Sequence, residues 1–513
     1  MSPTLELSLE QSPCNPKGKL RLQIKRAVVG SLPILMFTVL GFLVMGYHPG
    51  LEDDGVYLSA IKADLNPALF PNNADFFKLQ LQATVFDSWM AHFVQWTGIP
   101  LAWAELFWQF ASLFVILWAT GRIAGKLFAE KRAQWAAVAM VAAMLTLPVA
   151  GTALNIADQH LHPRNLATAL ILAAVSRILE DKHWQAVPLL LLAFVLHPIM
   201  AALGISFCVF EALSLVHQPV PFQLRIAESS LAAAVPLSWI LEPASPAWRQ
   251  ALNTKSYYFL FRWTWYEWLG ALAPLFLFWV LSRVALRHGQ TRLSRFALAV
   301  VAYGVFQQIM AMAMLAPSSL ERLTPLQPMR YLQLIYIFMA MAAGGLLGRF
   351  LLKGRTWRWV VYLLVFNGSM FLVQWELIDD GEHLELPAMA SANPWLQAFA
   401  WVRQNTPQDA YFALDPQYLA ASGEGFHSFR ALAERSQLSD GLKDAAVVTQ
   451  VPTLASAWQQ QQSAQAGWTH FQLAEFERLK QKFGVNWVLV AYPAAAGLGC
   501  RWHNNALTVC RIP

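Results

Sequence analysis

The sequence predicts a polytopic α-helical membrane protein, with about eleven transmembrane helices followed by an extracytoplasmic C-terminal α/β domain. Three observations carry that prediction. Of 513 residues, 56% are hydrophobic and only 13% charged, against about 25% charged in an ordinary soluble domain. The hydrophobic residues are gathered into runs of up to about twenty, the length that crosses a bilayer. The 22 Trp and 32 Phe suit a chain with two membrane–water interfaces, where amphipathic rings settle. A net charge of +6 might suggest a nucleic-acid partner, but the basic residues fall in short gaps between apolar runs, so none is expected.

The elements follow in order. Residues 1–26 form a polar tail, expected to be cytoplasmic. The apolar run Ala27–Tyr47 is longer than the core of a cleaved signal peptide and reads as a retained anchor. Further spans are expected at Leu101–Thr120, Gln134–Ala150, Leu166–Leu179, Gln185–His197, Ile199–Val216, Ile226–Leu241, Tyr266–Leu281, Phe296–Ala316, Tyr331–Leu347 and Trp359–Trp375. Leu166–Leu179 and Gln185–His197 are short, which leaves room for a re-entrant hairpin. The transmembrane domain is thus placed at 27–375, with a long first outer loop at 48–100.

Orientation comes from the charges between the spans. The tail and the loops near 121–135, 177–184, 217–225, 283–295 and 349–358 hold twenty Lys and Arg, whereas those near 48–100, 151–165, 243–265 and 317–330 hold eight. An excess of Lys and Arg marks the cytoplasmic side. The N-terminus is therefore expected inside and residues 376–513 outside, the arrangement of a bacterial inner-membrane protein with a periplasmic domain. In that domain ANPWLQAFAWVRQNTP and FQLAEFERLKQKFG read as helices, and AYFALDP and NWVLVAYP as strands. Cys500 and Cys510 bracket a short stretch there, and an oxidising compartment lets them pair as a disulfide. Cys14 and Cys208 fall on the inner side or in a span and read as reduced thiols.

The chemistry is expected in the outer loops. The first opens with GYHPGLEDDGVYLSAIK, where Glu52, Asp53 and Asp54 stand together. Mutual repulsion should raise at least one of their pKa values and make that carboxyl a general base. Asp53 and Tyr57 share a face if a helix begins here. The plainer reading is an acidic cap on an interfacial helix. The second outer loop, NIADQHLHPRN, places Asp158, His160, His162 and Arg164 within seven positions. Asp54, Asp158, His160 and His162 are residue types that ligate a divalent metal, and Arg164 is suited to a phosphate. His197 precedes Pro198 at the tip of a short hairpin. Lys255 and Arg262 lie among aromatics, and Arg322, Gln327 and Arg330 precede a span. Cations on the outer face, against the general trend, point to a phosphate-bearing lipid head group. Singly, each reads equally well as a snorkelling side chain.

A cytoplasmic N-terminus, an outer loop opening on Asp53, Asp54 and Tyr57, short middle helices and an exported C-terminal domain resemble the GT-C glycosyltransferases. That superfamily includes protein mannosyltransferases, the lipid A aminoarabinose transferase and oligosaccharyltransferases. WVRQNTPQDAYFALDP and FHSFRALAER resemble the tail of bacterial members. The resemblance implies inverting sugar transfer from a polyprenyl-phosphate-sugar donor to a glycolipid, glycan or protein acceptor, outside the cytoplasm. It gives Asp53 or Asp54 the role of base or metal ligand, with Glu52 beside them. Arg330, Arg164, Arg262 and Lys255 would hold the donor phosphate, and Tyr57, His160, His162, His197 and Gln327 would line the pocket. The third acidic residue and the His-rich second loop depart from the pattern and leave metal dependence open. No WWDYG sequence is present, which argues against the oligosaccharyltransferase branch.

Three other readings compete. A lipid-linked oligosaccharide polymerase or ligase would lean on outer Arg and His, leaving the acidic cluster dispensable. A transporter or flippase would carry ionisable residues near the membrane midplane in two related halves, and the sequence shows neither; Glu105 and Glu228 lie nearer span ends. A non-catalytic assembly factor would use the exported domain to recruit a partner.

Overall fold

The computed structural model describes residues 16–215, 244–377 and 381–513. The expected span Ile226–Leu241, the loop 217–225, Glu228, Cys14 and most of the N-terminal tail lie outside them. Each of the other expected spans overlaps a helix, although the helix under Gln134–Ala150 ends at Ala143 and the rest of that stretch leaves the helical path. Among the described residues six helical segments are long and apolar enough to cross a membrane: Leu101–Leu127, Pro198–Leu215, Trp265–Arg287, Thr291–Leu315, Pro328–Leu352 and Thr356–Leu377. Ser31–Met45 and His183–Leu196 are apolar but shorter. Lys131–Ala143 and Pro163–Ile178 have 13 and 16 residues, which at about 1.5 Å per residue fall short of a hydrocarbon core of about 30 Å. Both are almost wholly buried by other helices, so their length answers to neighbours rather than to lipid.

Small residues let these helices approach. Gly344 and Gly348, four apart on the helix Leu332–Leu347 and the turn after it, press on Ala136 and Ala133 of the helix Lys131–Ala143. Such spacing of small residues is a recurrent device for packing in lipid, where apolar surface alone gives no drive to associate. Tyr362 donates to the Ala136 carbonyl at 2.7 Å and ties a third helix to the same seam.

The loops assemble at two opposite ends of this bundle. At one end Glu180 pairs with Arg122, with Arg177 at 3.1 Å and with Lys182 at 3.4 Å, and Glu130 pairs with Arg349 at 3.2 Å. At the other, the first long loop folds into helices Asp54–Leu65, Asp75–Leu81 and Phe86–Thr97. Beneath them a short hairpin pairs β1 (Pro148–Val149) with β2 (Leu154–Asn155). The C-terminal segment sits on the first loop: Ser428 donates to the Gly50 carbonyl, Glu52 to the Phe426 carbonyl and Lys62 to Glu434. Trp248 of the helix Pro246–Asn253 donates to the Thr449 carbonyl. The loops expected on a common face therefore meet on one face.

Residues 394–513 build a five-stranded sheet in the order β4-β3-β5-β7-β6, with helices packed on it. β3 (Tyr411–Ala413) runs parallel to β4 (Ser436–Gln437) and to β5 (Trp487–Ala491), while β7 (Leu507–Arg511) is antiparallel to β5 and to β6 (Gly499–His503). The strand-like AYFALDP and NWVLVAYP supply β3 and β5. Cys500 and Cys510 face each other across β6 and β7 and are disulfide-bonded. Cys208 is a buried free thiol. Glu211, four residues before the end of the helix Pro198–Leu215, is fully buried.

A Cβ at Gly344 would lie 2.4 Å from the Ala136 carbonyl oxygen, which is backbone and cannot swing aside. Gly344→Leu should therefore lower the thermal midpoint in detergent by several degrees, the effect of about 1–3 kcal/mol of overpacking. Gly368→Leu, with nothing within 4 Å of the new Cβ, should leave it unchanged. Equal midpoints for the two variants would dismiss the close-packed seam.

Candidate functional site

The site begins at the N-terminus of the helix Asp54–Leu65. Glu52 takes the left-handed conformation (φ 50°), and this turns consecutive carboxylates to different surroundings. Asp54 is 2% exposed and accepts the Gly50 N–H at 2.6 Å, closing the turn from inside. Asp53 occupies the N-cap position but makes no side-chain cap bond. Its side chain is 39% exposed and pairs with Lys443 Nζ at 2.9 Å, while Glu52 lies 3.6 Å from the same ammonium. Asp53 is thus accessible and held at hydrogen-bond distance by Lys443, with Glu52 sharing that ammonium at longer range.

Electrostatics separates the neighbours further. Burial pushes Asp54 up from its ordinary value, only partly countered by His160 and the Gly50 N–H. Burial would push Asp53 up too, but Lys443, the nearby His162 and the charge of Arg164 outweigh it and hold Asp53 well below the carboxylate range. Repulsion within the acidic run, the expected cause of a raised pKa, is not what decides either group.

The second loop is fixed by amides. Gln109 donates to the Asp158 carbonyl at 2.7 Å, Asn165 accepts the Asp158 N–H at 3.0 Å, and Gln333 donates to the Ile156 carbonyl at 2.9 Å. His162 caps the helix Pro163–Ile178, its Nδ1 accepting the Arg164 N–H at 2.9 Å. That assigns the ring proton to Nε2, which faces Asp53 Oδ2 at 3.8 Å. Burial and the Arg164 charge press His162 down to about 4, so it is neutral. Its ring meets Tyr57 at 4.9 Å, placing Tyr57 on the face it shares with Asp53. His197 stacks beyond it at 6.1 Å and is buried. Arg164 grips Asp158 through two bonds of 3.1 and 2.6 Å, leaving Nη1 without a hydrogen-bond partner. Arg164 holds Asp158 down to about 2 against the opposing effect of burial.

A cleft of about 540 Å³ opens beside these groups, walled by Glu52, Asp158, His160, Tyr257, Tyr266 and the hairpin β1–β2. His160 is buried in its wall, and neither ring nitrogen has a partner. A narrow crevice shares Gly151 and Tyr257 with the cleft and adds Tyr258, Leu315, Gln327 and Arg330. Arg330 donates to Gln327 at 2.9 Å and is near enough to Asp53 and Arg164 for their charges to act on it.

Other expected residues lie differently. Arg262 is exposed, stacked on Phe259 and bonded to Asn253 at 3.1 Å, outside the cleft. Lys255 is buried with its ammonium on the Leu442 carbonyl at 2.6 Å. Asp54, Asp158, His160 and His162 do not bring ligand atoms together; among the described residues only His48, Glu385 and His427 form such a group. Lys443, in a domain from which no catalytic residue was expected, is the group the sequence failed to signal. Its place in DGLKD, between two acids, resembles any solvated helix start.

No protein-family model matches the chain, and no curated protein does. Among solved structures, the apo crystal structure of the Archaeoglobus fulgidus oligosaccharyltransferase is 11% identical with a TM-score of 0.43, over 90% of this chain and 69% of that one. The oligosaccharyltransferase AglB of that organism, with an inhibitory peptide and a dolichol-phosphate, is similar at 11% identity and TM-score 0.40, over 91% and 70% of the chains. Its complex with Zn and sulfate gives 11% and 0.40, over 90% and 68%. Oligosaccharyltransferases belong to the superfamily that the first loop resembles. At a TM-score below 0.5 the likeness carries no argument, for or against the branch that the missing WWDYG disfavours.

If Lys443 is what keeps Asp53 ionised, Lys443→Met leaves burial unopposed and raises the Asp53 pKa. A hydrophobic carbodiimide, which attacks protonated carboxyls, should then modify Asp53 near neutral pH in the variant and not in the wild type, read by peptide mass spectrometry. An unmodified Asp53 in the folded variant down to about pH 5 would contradict the assignment.

Proposed function

We propose that the protein is a glycosyltransferase that moves a sugar from a polyprenyl-phosphate donor to an acceptor on the extracytoplasmic face of a bacterial inner membrane. The observation that carries the proposal is Asp53: accessible, ionised, clamped by Lys443 and faced by a neutral His162, with Arg164 and Arg330 close by.

The crevice beside Arg330 is walled by Leu315, the last residue of the helix Thr291–Leu315, which is long and apolar enough to cross a membrane. The donor phosphate is assigned to Arg330, with the unpartnered Nη1 of Arg164 as a second donor. The sugar occupies the cleft between His160 and Tyr257. An acceptor hydroxyl or amide hydrogen-bonds to Asp53. A carboxylate of depressed pKa is a weak base, so it takes the proton late, once the new bond to the anomeric carbon has made that group acidic. The same anion steadies positive charge developing on the sugar ring. The bond to the phosphate breaks on the opposite face, polyprenyl phosphate leaves as an anion against the arginines, and the anomeric centre is inverted. Metal dependence belongs to the assay, since chelator sensitivity reads it directly. The acceptor, a glycolipid, glycan or protein, is met from the face formed by the C-terminal sheet.

A transfer assay in nanodiscs with radiolabelled polyprenyl-phosphate sugars tests this. Asp53→Asn should cost at least about 100-fold in turnover, the usual scale of a lost general base. Asp54→Asn, whose amide oxygen still accepts the Gly50 N–H, should stay within about tenfold of wild type. The reverse ranking would transfer the role to Asp54, and full activity in both would end the acid–base reading.

The second expectation concerns the donor. Arg330→Ala should raise KM for the polyprenyl-phosphate sugar more than tenfold while leaving acceptor KM nearly constant, since a lost charged hydrogen bond costs about 1.5–3 kcal/mol. An unchanged donor KM would remove Arg330 from the phosphate.

A further inference from the structure

Outside the cleft, three residues remote in sequence converge. His48 stands just after the first helix, Glu385 follows the last span, and His427 belongs to the C-terminal segment. His48 Nδ1 lies 3.0 Å from Glu385 Oε1, and His427 Nε2 lies 3.0 and 3.1 Å from the two Glu385 oxygens. Their ligand atoms all fall within 4.8 Å of one another, and both imidazoles are buried. We propose that His48, Glu385 and His427 bind a zinc ion that staples the first outer loop to the C-terminal domain.

The donor set carries the choice of metal. Two imidazole nitrogens and one carboxylate are borderline ligands, favoured by zinc over magnesium or calcium. With bonds of about 2.0–2.1 Å, neighbouring ligands of a tetrahedral zinc stand about 3.3 Å apart, close to the 3.0–3.1 Å between each imidazole and Glu385, while the 4.8 Å bound on the three atoms leaves the two imidazoles to draw together by up to about 1.5 Å. The outer contact of His427 is of the kind metal-binding histidines use, whereas Nε2 of His48 has no hydrogen-bond partner. His427 Nδ1 lies 3.0 Å from the Glu424 carbonyl oxygen and donates its proton there, leaving the Nε2 lone pair for the metal. His48 is anchored by its backbone N–H to the Gln159 carbonyl at 2.9 Å, and Glu385 by its backbone N–H to the Tyr47 carbonyl at 2.8 Å. The three protein ligands leave one position for water.

The placement gives the ion a structural task. His427 bridges to Leu51, and Gly50 accepts the Ser428 N–H, so the cluster lies at the base of the turn that presents Asp53. An ion here fixes that turn without touching the cleft, whose walls include none of the three ligands. The claim stands independently of the reaction proposed above.

The test uses the full-length, untagged protein in detergent, stripped with a chelator and titrated with Zn²⁺ against a chromophoric competitor. The expected result is one tight zinc per chain, with Glu385→Gln and His427→Ala weakening it more than about 100-fold, beyond the 10–100-fold typical of losing an outer contact. His160→Ala should keep it. X-ray absorption on the zinc-loaded wild type should show two imidazoles in a light-atom shell, a readout that needs no variant to fold. Failure of the wild type to bind zinc would overturn the site and leave a metal-free His–Glu–His hydrogen-bonded cluster. Undiminished zinc in Glu385→Gln, or loss in His160→Ala alone, would also overturn it, the latter by placing the ion in the cleft.

Discussion

The arrangement rests on the contact between Lys443 and Asp53, residues 390 positions apart. A carboxylate set among aromatics and helix ends loses part of its hydration, which favours the neutral form unless a countercharge offsets the loss. The countercharge could have come from the same loop. Instead it comes from the start of a helix in the C-terminal segment, so the largest of the charges that hold Asp53 ionised arrives with that segment. The seating is broad: Lys62 on Glu434, Trp248 on Thr449, Asn73 on Gln461 and Ser428 on Gly50 all act together. Few of these contacts would matter alone. Jointly they deliver one ammonium to one carboxylate.

Neighbouring positions near a helix start differ by about 100° of rotation, and this divides the labour within the acidic run. Asp54 points inward and spends its charge capacity on the Gly50 N–H, while Asp53 points outward to Lys443 and His162. The positive end of the helix dipole favours a carboxylate at either position, so the dipole cannot choose between them. Burial and partners do. The plain reading of the run as a helix cap is half right: the position is a cap, but the Asp53 side chain has been turned away from capping.

Helical spans were legible because apolar runs and the asymmetry of Lys and Arg are written locally. The strands from NWVLVAYP and AYFALDP were legible for the same reason, and so was the closeness of Cys500 and Cys510. The second loop stood out as a candidate from the density of polar residues in NIADQHLHPRN, but its internal pairing did not: Arg164 is committed to Asp158, which the sequence offered separately as a metal ligand. What could not be read was anything set by distant packing. Lys443 has an unremarkable local context, His48 and His427 are single residues in loops, and Glu385 lies in a linker. Arg262 misled for the opposite reason, because an aromatic, cationic stretch at the interface looks the same whether its arginine turns into a cleft or onto Phe259.

The positions of the two remaining arginines bear on what the cleft expects. Arg164 stands at the start of the helix Pro163–Ile178, and Arg330 in the turn leading into Leu332–Leu347. In both, a proline one or two residues earlier sets the entry of the chain. A helix start is an unfavourable place for a cation and a favourable one for an anion. Arg164 offsets that cost with Asp158. Among the described residues the side chain of Arg330 hydrogen-bonds to the neutral Gln327, and the charge of Arg164 acts on it unfavourably. A phosphate placed between them would satisfy both guanidinium groups and the helix starts behind them, while the amides of Gln109, Asn165 and Gln333 keep the loop from relaxing in its absence. The two arginines thus differ in kind: Arg164 offsets the cost of its place through Asp158, whereas the hydrogen bond of Arg330 to Gln327 brings it no negative charge.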